Sequence, residues 1–533
     1  MSTDFPKVNE QALADDQAAG ELLWSPSGGN QDDSIGGNAH LYSYRFQDDA
    51  GRWRAETILV DIGLLHLSKF YGNDEERIDT PDHSHMMPTA EAAEGMVRSQ
   101  VDKPVIGAIL ITHGHSDHIA GLAAHIQSGA VTPPIYASKY SAFLIRSHLA
   151  SNGVDKDHWP EIHEIKPGDR LKLSDRLNVE VTGATHSIPQ ALSFLIETPT
   201  ARHFHSGDIK VDEGSLVAGG TDLKTLREWG ERGIDSALID STGAPKDGWA
   251  KREQEVREDA FREVSKHPSK RVTYAVLGSY VEQLAGLGEV AARTGRALVY
   301  GGKSVETHLT ALRVSGIDLP KLVEERTGKK LRIFDIDSDE ARALKPSQAL
   351  QLVTGVDGDD RTVLAQAAKG KHDSWCPSAD DVVVWPDGYR TAAPEQANAM
   401  DRALRQRRVN VRRIGKRSDF GEGHGRREDL KEILSALKPK VLIPTHGVPF
   451  MRKALMDLGV QYGAKGQDAL NGDIFRLARN GVKLIAKRVA NWMPANKTHY
   501  PDQPRFNSVK TTFDAGKGPE DGTRPGPPPK PAA

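Results

Sequence analysis

Six residues limit the fold of this chain more than any others. His113-Gly114-His115-Ser116-Asp117-His118 follows directly on Val105–Thr112, a near-continuous apolar run. Such a run marks a strand covered on both faces, and a helical pattern follows it from Ile119 to Ile126. Alternate residues of an extended loop point the same way. His113 and His115 can therefore grip one cation, while Asp117 and His118 turn toward a neighbouring position. A strand end is a rigid mount for such groups. The only cysteine, Cys376, excludes an internal disulfide and a thiolate-rich zinc site, which leaves imidazole and carboxylate as donors.

The rest of the chain reads as an α/β protein of more than one unit, as 533 residues allow. Residues 1–36 are polar and rich in Gly, Asp and Ser, and read as a flexible segment. Ordered structure is expected from the alternating Ala39–Tyr44, with further strands at Thr57–Asp61, Leu177–Thr182, Leu192–Glu197 and Ala237–Ile239. Residues 37–236 form a first domain on this reading. From 237 to 408, helical patterns at Trp249–Lys266 and Val281–Arg293 alternate with strands at Val272–Leu277, Ala297–Tyr300, Leu350–Thr354 and Val382–Trp385. That alternation predicts an inserted unit with its own parallel sheet. Residues 409–490 return to the first domain with Val409–Ile414, a helix at Arg426–Leu437 and a strand at Lys440–Pro444. Residues 491–533, rich in Pro, Gly, Lys and Asp, read as a disordered tail.

A net charge of -3 is not that of a general nucleic-acid sponge, so polyanion binding needs a local patch or metal ions. Met1 to Gly20 has no apolar core for a signal peptide, and no apolar run is long enough for a bilayer. A cytoplasmic protein without a membrane partner is expected. The sequence allows a homo-oligomer.

H-x-H-x-D-H after a buried strand resembles the metallo-β-lactamase superfamily, whose other motifs recur here in order. Asp61 in Leu59-Val60-Asp61-Ile62-Gly63 matches the early aspartate that supports the ligands. His186 in Thr185-His186-Ser187 and Asp208 in Ser206-Gly207-Asp208 match the third motif and the bridging aspartate. The resemblance implies an αββα sandwich. It implies that His113, His115 and His186 bind one metal, that Asp117, His118 and a late histidine bind a second, and that Asp208 is shared. Two zinc ions are the implied cofactors, with manganese also admitted by the carboxylates.

The insertion narrows the branch. Ala237-Leu238-Ile239-Asp240-Ser241-Thr242-Gly243, Gly421-Glu422-Gly423-His424 and Pro444-Thr445-His446-Gly447 resemble motifs A, B and C of the β-CASP nucleases, and the chain is most similar to the ribonuclease J family. His446 becomes the late ligand. A histidine there resembles the RNA-processing branch; valine is usual in the DNA-directed one. The implied reaction is hydrolysis of RNA phosphodiesters by hydroxide generated between two cations, with endonuclease or 5′-to-3′ exonuclease action. Asp117, Asp240 and His424 are the implied catalytic residues. His424 would donate to the scissile phosphate or leaving oxygen, and Asp240 would orient a neighbouring histidine.

Three departures fall where the family reads the RNA 5′ end. Glu422 replaces a serine, Tyr280 replaces an asparagine after Ser279, and a Gly-rich stretch survives only as Thr354-Gly355-Val356-Asp357-Gly358-Asp359. A carboxylate at Glu422 is expected to repel phosphate, so 5′-monophosphate sensing and processivity are not carried over. The family's C-terminal dimerisation domain is expected to be missing or reduced to the tail. Ser279, Arg412 and Arg413 are candidate RNA contacts, the arginines belonging to a basic run from Arg402 to Arg417. His83 and His85 read as a solvated loop. Gly301-Gly302-Lys303-Ser304 lacks the spacing of a phosphate loop. Two other functions fit parts of the pattern: a metallo-hydrolase of a small ester, lactam or nucleotide, and a non-catalytic RNA-binding scaffold.

Overall fold

The computed structural model describes residues 20–32, 35–66, 85–88, 106–127, 132–356, 359–386, 394–414, 421–487 and 492–494. Two sheets are stacked face to face. The first has eight strands in the order Gly481–Ala486, Ile474–Ala478, Glu21–Gly28, Ala39–Gln47, Trp53–Val60, Ile106–Leu110, Ile135–Ala137 and Ile162–Glu164. The second has seven, in the order Lys465–Gly466, Val441–Thr445, Ser236–Asp240, Arg202–His205, Ala191–Glu197, Asn178–Ala184 and Arg170–Lys172.

Period-two alternation sorts the side chains between layers. Leu22, Trp24, Tyr42, Tyr44, Ile58 and Val60 face Val179, Val181, Phe194, Leu238 and Ile443 of the second sheet in one buried cluster. The intervening Leu23, Leu41, Leu59 and Ile109 turn outward onto Leu122, Ile126 and Ile145 of the helices Gly121–Gln127 and Lys139–Ser151. On the far side, Leu195, Phe204, Ile239 and Leu442 are covered by Leu226, Trp229, Ile433 and Leu455 of three helices. The result is the αββα sandwich.

The inserted unit has six parallel strands in the order Ile333–Asp335, Ala297–Gly301, Ala349–Thr354, Arg271–Val276, Asp381–Pro386 and Asn410–Ile414. Helices cover both faces, as a parallel sheet requires. Leu284, Leu287 and Val290 pack on one face, and Leu364, Ala397 and Leu404 on the other. Chain order reverses beside Arg271–Val276. The crevice outside the carboxyl end of such a strand is where open α/β sheets place ligands. Here the turn after that strand reaches the histidine loop, with the Ser279 carbonyl 3.2 Å from His115 Nε2.

Four expectations are corrected. Glu21–Gly28 is no flexible segment but a buried strand paired on both sides, because Leu22 and Trp24 reach the core between the sheets. Ser236–Asp240 lies in the second sandwich sheet, parallel to Val441–Thr445, so the inserted unit starts after it. Asn410–Ile414 pairs with Asp381–Pro386 and closes the inserted sheet; it does not begin the return segment. In the tail, Trp492–Pro494 is a strand against His85–Pro88, and the residues after it lie outside the described ones. No helix of the described residues is long and apolar enough to cross a membrane.

Buried histidines give this fold an acid limit. Burial alone pushes His125 down to about 4, and burial with a nearby imidazole pushes His203 and His308 down to about 3, against a usual 6.5. Below pH 6.5 the unfolded chain takes up protons that the folded chain refuses until those lower values. Stability is therefore full above 6.5 and falls with pH beneath it, by up to about 1.4 kcal/mol per pH unit for each ring. Urea midpoints measured from pH 7.5 to 5 should drop steadily. A flat profile would show that these rings stay open to water.

Candidate metal centre

The cluster is assembled at strand ends. Ile106–Leu110 leads into the histidine loop. Beside it, Asp61 ends its own strand in a left-handed conformation (φ 62°), as does His446 (φ 54°) after Val441–Thr445. Such conformations cost a non-glycine residue on the order of 1–3 kcal/mol and persist where surroundings dictate them. For Asp61, the surroundings are clear. Its Oδ1 accepts the Thr112 N–H at 2.8 Å, and its Oδ2 accepts from Thr112 Oγ1 and His118 Nδ1, each at 2.8 Å. The expected supporting role of Asp61 thus has a geometry.

Asp208 is the centre of the arrangement. Its Oδ2 lies 3.7 Å from His113 Nε2 and 3.5 Å from His186 Nε2. Its Oδ1 lies 3.5 Å from His118 Nε2 and 3.8 Å from His446 Nε2. His115 Nδ1 completes the first set, 3.0 Å from His113 Nε2 and 3.1 Å from His186 Nε2. Asp117 Oδ2 completes the second, 3.1 Å from His446 Nε2 and 3.7 Å from His118 Nε2. Separations of roughly 3–4 Å between donors are those that bonds of about 2.0–2.2 Å impose at near-tetrahedral angles. Two four-residue groups capable of holding a cation thus share one carboxylate. Asp208, His113, His118, His186 and His446 are buried, whereas His115 and Asp117 keep some exposure, which marks the open side.

The outer nitrogens test whether the rings suit metals. Each of the five has an oxygen partner: Thr112 Oγ1 for His113 Nδ1, the Ser279 carbonyl for His115 Nε2, Asp61 for His118 Nδ1, the Gly423 carbonyl for His186 Nδ1 and Thr242 Oγ1 for His446 Nδ1. Thr112 and Thr242 donate their own hydroxyls to Asp61 and to the His446 carbonyl, so each hydroxyl oxygen is free to accept. A proton on every outer nitrogen leaves the inner lone pair for a cation. The donor set fits two divalent ions of the zinc or manganese kind.

Charge in the cluster agrees with that fit. Burial, aided by neighbouring imidazoles, pushes His113 and His186 well below the ordinary histidine range, so both are neutral donors. Burial would also lower His446, but Asp208, the bond to Asp117 and Asp240 outweigh it and hold the ring at about 9. Burial opposes charge on His118 too, but Asp208, Asp117 and Asp61 raise that ring well above the ordinary histidine range. This half of the site favours positive charge.

Beside the cluster, His424 Nδ1 donates to Asp240 Oδ2 at 2.7 Å, and its ring stacks on His446 with centroids 5.1 Å apart. Gly423 has no room for a side chain, since an added Cβ would stand 2.6 Å from His186 Cε1. Gly423→Ala should push that ring off its carbonyl anchor and weaken metal binding by about tenfold or more, the usual penalty for disturbing such support. Chelator competition would read it, and unchanged affinity would show that the ring has slack.

Ser279 reaches the site through its carbonyl. Arg412 is bound to Glu263 at 3.0 Å and Arg413 to Asp401 at 2.7 Å, which offsets charge they would offer a polyanion. The expected repulsion by Glu422 is corrected. Glu422 is buried in ion pairs with Lys246 at 2.8 Å and Arg426 at 2.6 Å, so its charge is neutralised locally. Tyr280 donates to Glu253 at 2.7 Å. Lys303 pairs with Glu306. His83, the His85 side chain and Asp357-Gly358 lie outside the described residues. Thr112, Thr242 and the Ser279 and Gly423 carbonyls were not singled out as site groups from sequence; a Thr directly before His113 and one following Asp240 were the available signals.

Residues 86–248 match the family model described as a beta-lactamase superfamily domain, a stretch that holds six of the seven cluster residues and Asp240. A crystal structure of a protein of unknown function from Enterococcus faecalis V583 superposes with a TM-score of 0.54 at 14% identity, covering 86% of this chain and 100% of that one, and agrees in fold. With the sandwich and its strand-end cluster, this is a metallo-β-lactamase-fold protein. More particularly, the chain resembles ribonuclease J over most of its length. It is 27% identical over 462 residues to ribonuclease J 1 of Streptococcus pyogenes serotype M3, covering 85% of this chain and 75% of that protein. It is 27% identical over 469 residues to ribonuclease J of Sinorhizobium meliloti, covering 87% and 76%.

Proposed function

We propose that this protein is a metal-dependent ribonuclease that hydrolyses RNA phosphodiester bonds. The observation carrying the reading is the Asp208 carboxylate, whose two oxygens serve two adjacent donor sets. Seven side chains would hold a pair of Zn2+ or Mn2+ ions: His113, His115 and His186 on one side, Asp117, His118 and His446 on the other, and Asp208 between. When bound, such a pair lowers the pKa of water from about 15.7 toward neutrality and offsets charge on the phosphate oxygens.

The chain's own groups do the rest. Asp61, Thr112 and Thr242 keep the rings in register, so donors need no rearrangement as charge develops. Asp240 holds the Nδ1 proton of His424, which leaves Nε2 to carry or release a proton toward the scissile phosphate or the leaving ribose oxygen. The partial exposure of His115, Asp117 and His424 gives the phosphate its approach. Neutralisation of Glu422 by Lys246 and Arg426 removes the main objection to a polyanionic substrate, and the similarity to ribonuclease J favours RNA over a small ester.

The test is cleavage of one labelled RNA sequence bearing 5′-monophosphate, 5′-triphosphate or 5′-hydroxyl ends, beside a panel of small esters. Shortened RNA in the presence of Zn2+ or Mn2+ supports the reading, and the relative rates report how far the 5′ end is sensed. Intact RNA with ester turnover removes it.

A further inference from the structure

The first donor set is held partly from the inserted unit. The turn Leu277–Tyr280 and the first turn of helix Val281–Arg293 touch three separate loops of the sandwich. The Ser279 carbonyl accepts His115 Nε2–H at 3.2 Å. The Val281 and Glu282 N–H groups, which have no acceptor within their own helix, both donate to the Ser187 carbonyl, at 2.9 and 3.2 Å. Ser187 is the residue after His186. The Glu282 carboxylate, 1% exposed, accepts the N–H groups of Leu216, Val217 and Ala218 at 2.9, 2.8 and 2.6 Å, together with the Ser215 hydroxyl. That loop continues the segment that carries Asp208. A buried linkage beside it repeats the pattern: Lys210 donates to Glu253 of the inserted unit at 2.6 Å, and Tyr280 donates to the same oxygen.

We infer that docking of the inserted unit through Glu282 and the Gly278–Tyr280 turn positions His115 and His186, two ligands that belong to the first donor set alone, and so sets the affinity of the first metal position selectively. The second position is supported otherwise. Its His118 and His446 are anchored by Asp61 and Thr242, and Asp117 meets His446 directly, all within the sandwich. The inference rests on the two-metal reading above. Ser279 and Glu282 are positioning residues on this account, since neither touches the reacting atoms. A practical consequence is that anything shifting the inserted unit, RNA in the crevice included, changes first-site affinity.

Chelator competition on the full-length protein tests it, with Zn2+ binding and the visible spectrum of the Co2+-loaded protein as readouts. Glu282→Ala removes the acceptor for four donors, and Gly278→Ala drives a Cβ against Ser304, 2.7 Å from its Cβ, so that the turn must shift. Each should weaken one of two binding steps by about tenfold to a hundredfold and leave the other near wild type. Glu282→Gln, which retains one acceptor oxygen, should fall between. Glu325→Ala breaks an exposed ion pair with Lys321 on another helix of the inserted unit, Leu319–Thr327, and should leave both steps unchanged. Equal loss at both steps, or the same loss in Glu325→Ala, would overturn the inference, as would wild-type affinities in Glu282→Ala. A wild-type protein that binds no metal would instead sink the two-metal reading itself.

Discussion

Asp208→Ala is expected to lower RNA cleavage at least about 10³-fold. The reason is geometric. Each Asp208 oxygen faces a different donor set, so its loss opens both at once and would weaken the hold on the cations that would lower the pKa of water from about 15.7. His115→Ala should also abolish cleavage, through one donor set. The two variants separate in metal content: Asp208→Ala should weaken both binding steps and His115→Ala chiefly one. Steady-state cleavage with elemental analysis checks this. Cleavage by Asp208→Ala within tenfold of wild type would mean that the carboxylate is not shared.

His424→Ala should cost about 10²–10⁴-fold in the cleavage rate while metal content stays at the wild-type level, as removal of a proton donor does. Asp240→Asn is the sharper probe. An amide cannot accept the Nδ1 proton in the same way when its NH2 faces the ring, so the imidazole loses its 2.7 Å anchor. The Asp240→Asn defect should approach that of His424→Ala, and the double variant should be little worse than either, since linked residues act as one unit. Fully additive losses would show that Asp240 acts elsewhere, for instance through His446, whose Nδ1 lies 3.9 Å from Asp240 Oδ1.

The cluster was legible in sequence because its side chains are chemically distinctive and sit at strand ends, where an apolar run stops abruptly. His113 to His118 and Asp61 show this best. The groups that orient the rings were not legible. Ser279 and Gly423 act through carbonyls, which every residue possesses, and only the fold brings those oxygens to His115 and His186. Glu422 shows the opposite failure. Its charge and the Arg426 four positions on are plain in sequence, yet Lys246 lies 176 positions away, so that half of the neutralising pairing is invisible there. Likewise Leu22-Leu23-Trp24 is too short an apolar run to stand out among Gly and Ser. Its strand exists because both neighbours, from opposite ends of the chain, complete the sheet.

The most direct measurement is RNA cleavage by chelator-stripped protein as Zn2+ or Mn2+ is returned stepwise. Activity should be absent without metal and should rise only as the second equivalent binds. Full cleavage in the stripped protein, or intact RNA with both positions filled, would contradict the account.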